Sequence, residues 1–339
     1  MSNKFNILII IAITLVLIVL LVLILSETPL KTLFFFFIGP FINLFSFSNM
    51  LNNITPLILG GLAVTIPMKT GNLNLGGEGQ VYFGAFITTA VALSVSNIGA
   101  MGAVIAVITG SLCSGIIAAF CGFCKAKWKT NELITTFLIS CAIFPIVNFL
   151  IANTFADPQT ALISTRKIAE NMRLPIILKK SNLSAGFLIA LSFVPLVYFF
   201  LAKSKMGYEF RMTGINEFFA RYGGINTKLH TVLSMGMSGF LYGLAGSIMI
   251  LGTYHAAIKE FSAGLGWSGL TTALIAGFSP VSVIPCAFFL AWINSGARIA
   301  MQNTGLTHEI ALVVQAFIFL LSTSLLIKNI RFNKKTGKG

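Results

Sequence analysis

The chain has 339 residues, of which 56% are AVILMFWYC and only 9% charged, and its mean hydropathy is +0.91. Soluble chains carry roughly 25% charged residues, so this composition excludes a soluble enzyme and a disordered tail protein. The formal charge of +14, from 23 Lys and Arg against 9 Asp and Glu, is spread between apolar runs, which argues against nucleic-acid binding and for the asymmetric loops of a membrane protein.

Apolar runs of about 20 residues favour helices over the roughly 9 to 11-residue strands of a barrel, so the fold class is an all-α integral membrane protein. The first run, 6–26, follows a short start bearing Lys4. It is too long for the apolar region of a signal peptide and no A-x-A site follows, so residues 1–30 read as a retained membrane span. Residues 33–49 are apolar but broken by Gly39-Pro40, and the pieces are too short to cross, so a re-entrant or interfacial segment is predicted there. Spans follow at 50–68, 79–97, 99–124, 132–153, 184–202, 229–252 and 308–328. The stretch 266–297 is too long for one untilted helix and has a turn signal from Gly277 to Pro280, so two shorter helices are predicted.

Charge sets the count. The basic segments Lys125 to Lys129, Lys203 to Lys228, and the tail with Lys328, Arg331, Lys334, Lys335 and Lys338 should all face the cytoplasm. That is met by about ten transmembrane helices with both termini cytoplasmic: a membrane core over 31–330 and a basic tail over 331–339. The loop 155–183 disagrees, since it is external yet carries Arg166, Lys167, Arg173, Lys179 and Lys180 against Asp157 and Glu170. Either the rule, being statistical, fails here, or Arg166, Lys167 and Arg173 form a docking surface for an acidic partner.

Absences narrow the function further. No G-x-x-x-x-G-K-[ST] loop is present, so the chain does not hydrolyse ATP by that route. All nine acids fall at span ends or in loops, which disfavours ion-coupled transport, since coupling needs an intramembrane group that changes charge. His230, His255 and His308 are far apart, without a Ser, Cys or acid at useful spacing, and Cys121-Gly122-Phe123-Cys124 has no second CxxC. Cys113, Cys121, Cys124, Cys141 and Cys286 read as packing thiols. No catalytic residue, metal or cofactor is expected in this chain.

Two segments stand out. Gly71-Asn72-Leu73-Asn74-Leu75-Gly76-Gly77-Glu78-Gly79-Gln80 is too glycine-rich for a helix and alternates polar with small or apolar residues. It reads either as a helix break lining a translocation cavity or as a glycine-rich turn at the surface. The second is Gly207 to Asn226, in which Asn216 is a helix N-cap, Glu217 to Tyr222 a short helix, and Gly223-Gly224 its end. Phe218, Phe219 and Tyr222 would project from a basic loop, into a groove on a soluble partner or flat along the inner leaflet.

These segments carry a resemblance. Thr55-Pro56-Leu57-Ile58-Leu59 with Gly71 to Gln80, then Asn131-Glu132-Leu133-Ile134, Gly207 to Asn226, and Ser238-Gly239 to Gly246 are similar, in register from about residue 50 to 328, to the permeases of ABC importers for branched-chain amino acids, ribose-type sugars and nucleosides. The general (purine) nucleoside uptake permeases resemble it most, because a sugar permease would carry Asp-Leu-Ser where this chain has Asn74-Leu75-Gly76. One departure falls at Glu217-Phe218-Phe219-Ala220, where the family reads Pro-Glu-Ala-Ala.

The resemblance implies a bacterial cytoplasmic-membrane subunit that pairs with a second permease subunit and rests on an ABC ATPase, which holds the ATP and magnesium. It also implies solute received from an extracytoplasmic substrate-binding lipoprotein, with membrane lipid around the helices. The expected path residues are Asn72, Asn74, Glu78, Gln80 and Phe83, with Glu78 alternatively capping a helix or pairing with Lys69. The expected ATPase contacts are Asn216, Glu217, Phe218, Phe219, Ala220, Arg221, Tyr222 and Gly224. The alternatives are a sugar permease of the same family, or a carrier working alone.

Overall fold

The computed structural model describes residues 3–178 and 180–304, with residues 313, 316, 317 and 320, which are helical. The predicted span 308–328 otherwise lies outside the described residues, as does the tail 331–339. Among the described residues the chain is helical apart from isolated β-bridges in its loops.

The helices are α1 (Asn3–Leu25), α2 (Pro29–Phe37), α3 (Leu44–Met68), α4 (Gly77–Ser94), α5 (Ala100–Trp128) and α6 (Glu132–Phe149), then α7 (Gly186–Lys203), α8 (Lys205–Ile215), α9 (Glu217–Tyr222), α10 (Thr227–Met249), α11 (Leu265–Ile275) and α12 (Pro280–Thr304). Both α6 and α10 continue through one wider turn, to Thr154 and Tyr254. Among the described residues, six helices, α3, α5, α6 with its extension, α7, α10 with its extension, and α12, are long and apolar enough to cross a membrane. The protein is a multi-pass membrane protein.

The Gly39-Pro40 break sits where the sequence placed it, but α3 begins at Leu44, so residues 44–49 belong to a span and only 29–41 form the short accessory piece. That piece lies against α12: the Trp292 indole N–H donates to the Phe37 carbonyl at 3.0 Å. The segment 266–297 does divide, at Gly277 and Phe278, which both have left-handed φ. However, α11 has 11 residues, about 16 Å at 1.5 Å per residue, roughly half the hydrocarbon thickness. It is too short to cross alone.

Lipid offers helices no hydrophobic reason to associate, so close backbone approach and polar contacts must hold them. The central helix α10 meets α4 in this way: a Cβ on Gly84 would lie 2.6 Å from the Gly243 Cα. Beside this crossing the hydroxyls of Thr88 and Ser247 share a hydrogen bond at 2.6 Å, and the Ser114 hydroxyl donates to the Gln80 carbonyl at 2.9 Å. The interior spans are α3 and α10; α6 and α7 leave most of their surface open.

The two ends differ. At the basic end, Lys125 and Glu132 form an ion pair at 2.6 Å across the α5–α6 turn, and His230 Nε2 lies 3.1 Å from the Glu209 carboxylate, tying α8 to α10. At the other end the loop 155–183 is pinned to the segment after α10. Leu174 N–H donates to the Leu251 carbonyl at 3.0 Å, Ile168 N–H to His255 at 2.8 Å, and Thr165 N–H to Ala257 at 2.9 Å. Of the cysteines, Cys121, Cys124 and Cys286 are buried, whereas Cys141 is exposed on α6, so it is not the buried packing thiol expected from sequence.

Candidate functional site

Residues 69–76 leave α3 at the basic end and return to start α4 inside the bundle, beside α6, α10 and α11. The glycines permit this: a Cβ on Gly77 would sit 2.3 Å from the Tyr242 ring, so only glycine lets the strand of backbone pass that ring. The irregular backbone is satisfied by neighbouring side chains, as a membrane interior requires. Leu75 N–H donates to Thr136 Oγ1 at 3.1 Å and Gly79 N–H to Ser140 Oγ at 2.7 Å.

The segment is therefore a folded unit inside the bundle. Asn74 is 1% exposed and Gln80 1%, and they bond to each other. Asn74 Nδ2 donates to Gln80 Oε1 at 2.8 Å and to Ser238 Oγ at 2.9 Å; Asn74 Oδ1 accepts from Gln80 Nε2 at 3.2 Å and from Gly76 N–H at 2.9 Å. All four bonding positions of the Asn74 amide are filled. Asn72, also buried, donates to Thr70 Oγ1 at 2.6 Å, and that hydroxyl bonds Ser234 at 2.8 Å. Phe83 is half-buried against the core.

Glu78 acts as a cap. Its Oε1 accepts from Gly264 N–H at 2.8 Å and its Oε2 from Gly266 N–H at 2.7 Å, so the carboxylate closes the start of α11, where the helix carries partial positive charge. Lys69 is not its partner: burial, and then the nearby Arg211 guanidinium, lower the Lys69 ammonium from its usual range.

At the basic end α9 has the predicted limits. Asn216 Oδ1 accepts from Phe219 N–H at 3.0 Å, α9 ends at Tyr222, and Gly224 takes φ +81°. Glu217 pairs with Arg221 of the same turn, and Arg221 Nε donates to Thr227 Oγ1 at 2.9 Å, so the helix is braced to the start of α10. Ala220 is buried, whereas Phe218, Phe219 and Tyr222 are 72%, 67% and 93% exposed. Beside this helix is a cleft of about 870 Å³ lined by Lys125, Lys127, Lys129, Arg221 and Lys228. Sequence reasoning missed the His230–Glu209 contact that holds α8 in place, because the two residues lie on different helices and at no recognisable spacing.

At the opposite end Arg166 and Lys167 are exposed and, with Asp157, border one depression. Arg173 is committed inside the loop: Nε and Nη2 donate to the Ile168 carbonyl at 3.4 and 3.3 Å, and Nη1 faces Glu170 at 3.4 Å. The structure does not bring it together with the other two bases as one open patch. Among the described residues no cluster of metal-ligating side chains occurs.

The geometry is that of a polytopic helical bundle with an irregular polar segment folded inside it and an exposed aromatic helix at its basic end. The family described as branched-chain amino acid transport system / permease component matches residues 46–323. The chain belongs to this permease family. It is 32% identical over 304 residues to a probable riboflavin import permease of Treponema pallidum, covering 87% of this chain and 79% of the relative. It is 31% identical over 292 residues to a guanosine ABC transporter permease of Bacillus subtilis, covering 84% and 83%. A glucose ABC transporter permease of Haloferax volcanii is 27% identical over 325 residues, covering 91% and 84%. No solved structure matches the chain. Members of the family are transport components, and the resemblance read from the motifs holds across the matched region.

Proposed function

We propose that this chain is the membrane permease of an ATP-driven importer in a bacterial cytoplasmic membrane, and that its solute is a nucleoside. It would pair with a second permease subunit, dock on an ABC ATPase that holds the ATP and magnesium, and receive solute from an extracytoplasmic binding lipoprotein. The observation that carries the solute class is the similarity to a guanosine permease over most of both chains, with the Asn74-Leu75-Gly76 element in place of the sugar permeases' Asp-Leu-Ser. A second reading, riboflavin, is favoured by the similarity to the probable riboflavin permease. The two solutes share a fused heteroaromatic ring bearing a hydroxylated side arm.

In this reading α9 is the ATPase contact. A six-residue helix with three exposed rings, capped by Asn216 and braced by Glu217 and Arg221, presents an apolar knob without flexibility of its own. The ion pair within α9 occupies Glu217, so the rings, not the acid, would make the contact on the ATPase. Closure of the ATPase on ATP would pull this helix, and through Thr227 and His230 the start of α10. The segment 71–80 is bonded to α10 through Ser234 and Ser238, so it would shift with that helix and reshape the path. Asn72, Asn74, Glu78 and Gln80 thus serve the path by setting its inner wall, and Phe83 by lining it. Each state then holds the solute differently, which is what directional transport requires.

Accumulation of labelled guanosine, riboflavin and ribose in cells with and without the gene tests the reading. Gene-dependent guanosine uptake supports it, riboflavin uptake alone selects the second reading, and ribose uptake alone overturns both.

A further inference from the structure

Away from the 71–80 segment, one polar constellation interrupts an otherwise apolar face of the bundle. On α6, Phe137, Cys141, Phe144 and Asn148 follow one another at helical spacing and form a stripe. The stripe faces the loop 255–264 and the first turn of α11: Phe137 meets Trp267 with ring centroids 6.3 Å apart, and Phe144 stacks on Tyr82 at 5.0 Å. At its upper end the Tyr82 hydroxyl donates to Asn148 Oδ1 at 2.6 Å and accepts from the Glu260 N–H at 3.0 Å. Asn148 Nδ2 reaches the Glu260 carboxylate at 3.3 Å.

Glu260 is the unusual member. Its backbone is left-handed, φ +59°, as are those of His255, Ala263 and Gly264 in the same loop. A non-glycine residue pays of order 1 kcal/mol or more for this conformation, and such positions gather at functional sites. The side chain is exposed and makes no ion pair among the described residues. Asn148 stands six residues, about 9 Å, before the end of the extended α6 helix at Thr154. The strained loop thus holds an exposed carboxylate against the amide at the end of the α6 stripe.

We propose that Glu260, Asn148 and Phe144 form a solute-recognition station in the path. The carboxylate accepts from a pair of donors on the solute, Asn148 holds the carboxylate and offers its remaining N–H, and Phe144, backed by Tyr82, stacks on a ring. An ionised carboxylate only accepts hydrogen bonds, so the ligand must bring two adjacent O–H or N–H groups beside an aromatic plane. The site rests on the nucleoside reading, and in a nucleoside the donor pair is either the sugar diol or the N–H edge of the base. Tyr82 is fully buried and bonds the Glu260 backbone, so it positions the loop without touching the solute.

The test uses the permease complex with its ATPase and binding protein in proteoliposomes, and labelled guanosine, 2′-deoxyguanosine and purine riboside, whose base has no N–H. Glu260→Gln keeps the backbone bond to Tyr82. It should raise the half-saturating guanosine concentration about tenfold, the scale of one hydrogen bond to a charged group, while the ATPase still co-purifies. Phe144→Leu, which retains apolar volume, should also raise it. If the substitution at Glu260 penalises guanosine but not 2′-deoxyguanosine, the diol is the donor pair; if it penalises guanosine but not purine riboside, the base edge is. Guanosine uptake with unchanged half-saturation in both variants overturns the station alone. A wild-type complex that takes up none of the three overturns the nucleoside reading and the station with it.

Discussion

Glu78 joins two helices that are far apart in sequence, and its role is set by which backbone it reaches. Removing it in Glu78→Ala leaves the partly buried Gly264 N–H and the buried Gly266 N–H without their acceptors, at about 1–3 kcal/mol. The purified protein in detergent should melt earlier, with Glu78→Gln in between. Asn74→Ala and Gln80→Ala break the amide pair, at about 1–3 kcal/mol for each group left unsatisfied; uptake should fall while the complex still assembles, as read by co-purification. His255 supplies a pH prediction. Burial, then the nearby Arg173 and Lys167, hold its imidazole below the usual value, so the folded protein binds the proton less well than the unfolded chain. Its effect is absent above about pH 6.5 and grows as pH falls below that. Proteolysis of the 155–183 loop, which is bonded to the His255 carbonyl, should accelerate in that range, and His255→Asn should remove the acceleration. Sequence pointed to Asn74, Glu78 and Gln80 as polar groups in a glycine-rich break, but not to their partners, because Ser238 and Gly264 are brought in by tertiary packing.

At the scale of elements, legibility followed locality. The limits of α9 were readable because its cap, its acidic first turn and its terminal Gly223-Gly224 all lie within one short stretch, and each acts on its own backbone. The length of α11 was not readable, because the turn at Gly277 marks its end while its start depends on a carboxylate in α4. The extension of α3 back to Leu44 was also hidden: Asn43, whose side chain accepts from Ser46 N–H at 2.7 Å, caps it within a phenylalanine-rich run that reads as uniform. The exposed rings of α9 lead to a direct test. Replacing Phe218 and Phe219 by Asp should release the ATPase from membranes carrying the complex, and co-purification at the wild-type level would point to a helix lying along the leaflet.

For the whole molecule, composition and the placement of charge were enough to give a helical multi-pass protein, since lipid permits few other solutions for such a chain. Which end of the bundle binds what depends on side chains that the fold frees or occupies. Arg166 and Lys167 are free, whereas Arg173 is held by the Ile168 carbonyl. Exchanging the first two for Glu should weaken stimulation of ATP hydrolysis by the binding protein more than Arg173→Gln does, and equal effects would remove the distinction. The loop before α11 is held by a single short stretch of α4. One turn after Glu78 fastens the beginning of α11, Tyr82 fastens Glu260, so a five-residue arc of one helix grips the second half of the loop 255–264. If α4 turns about its axis, the gripped part of the loop turns with it, much as a key carries its bit.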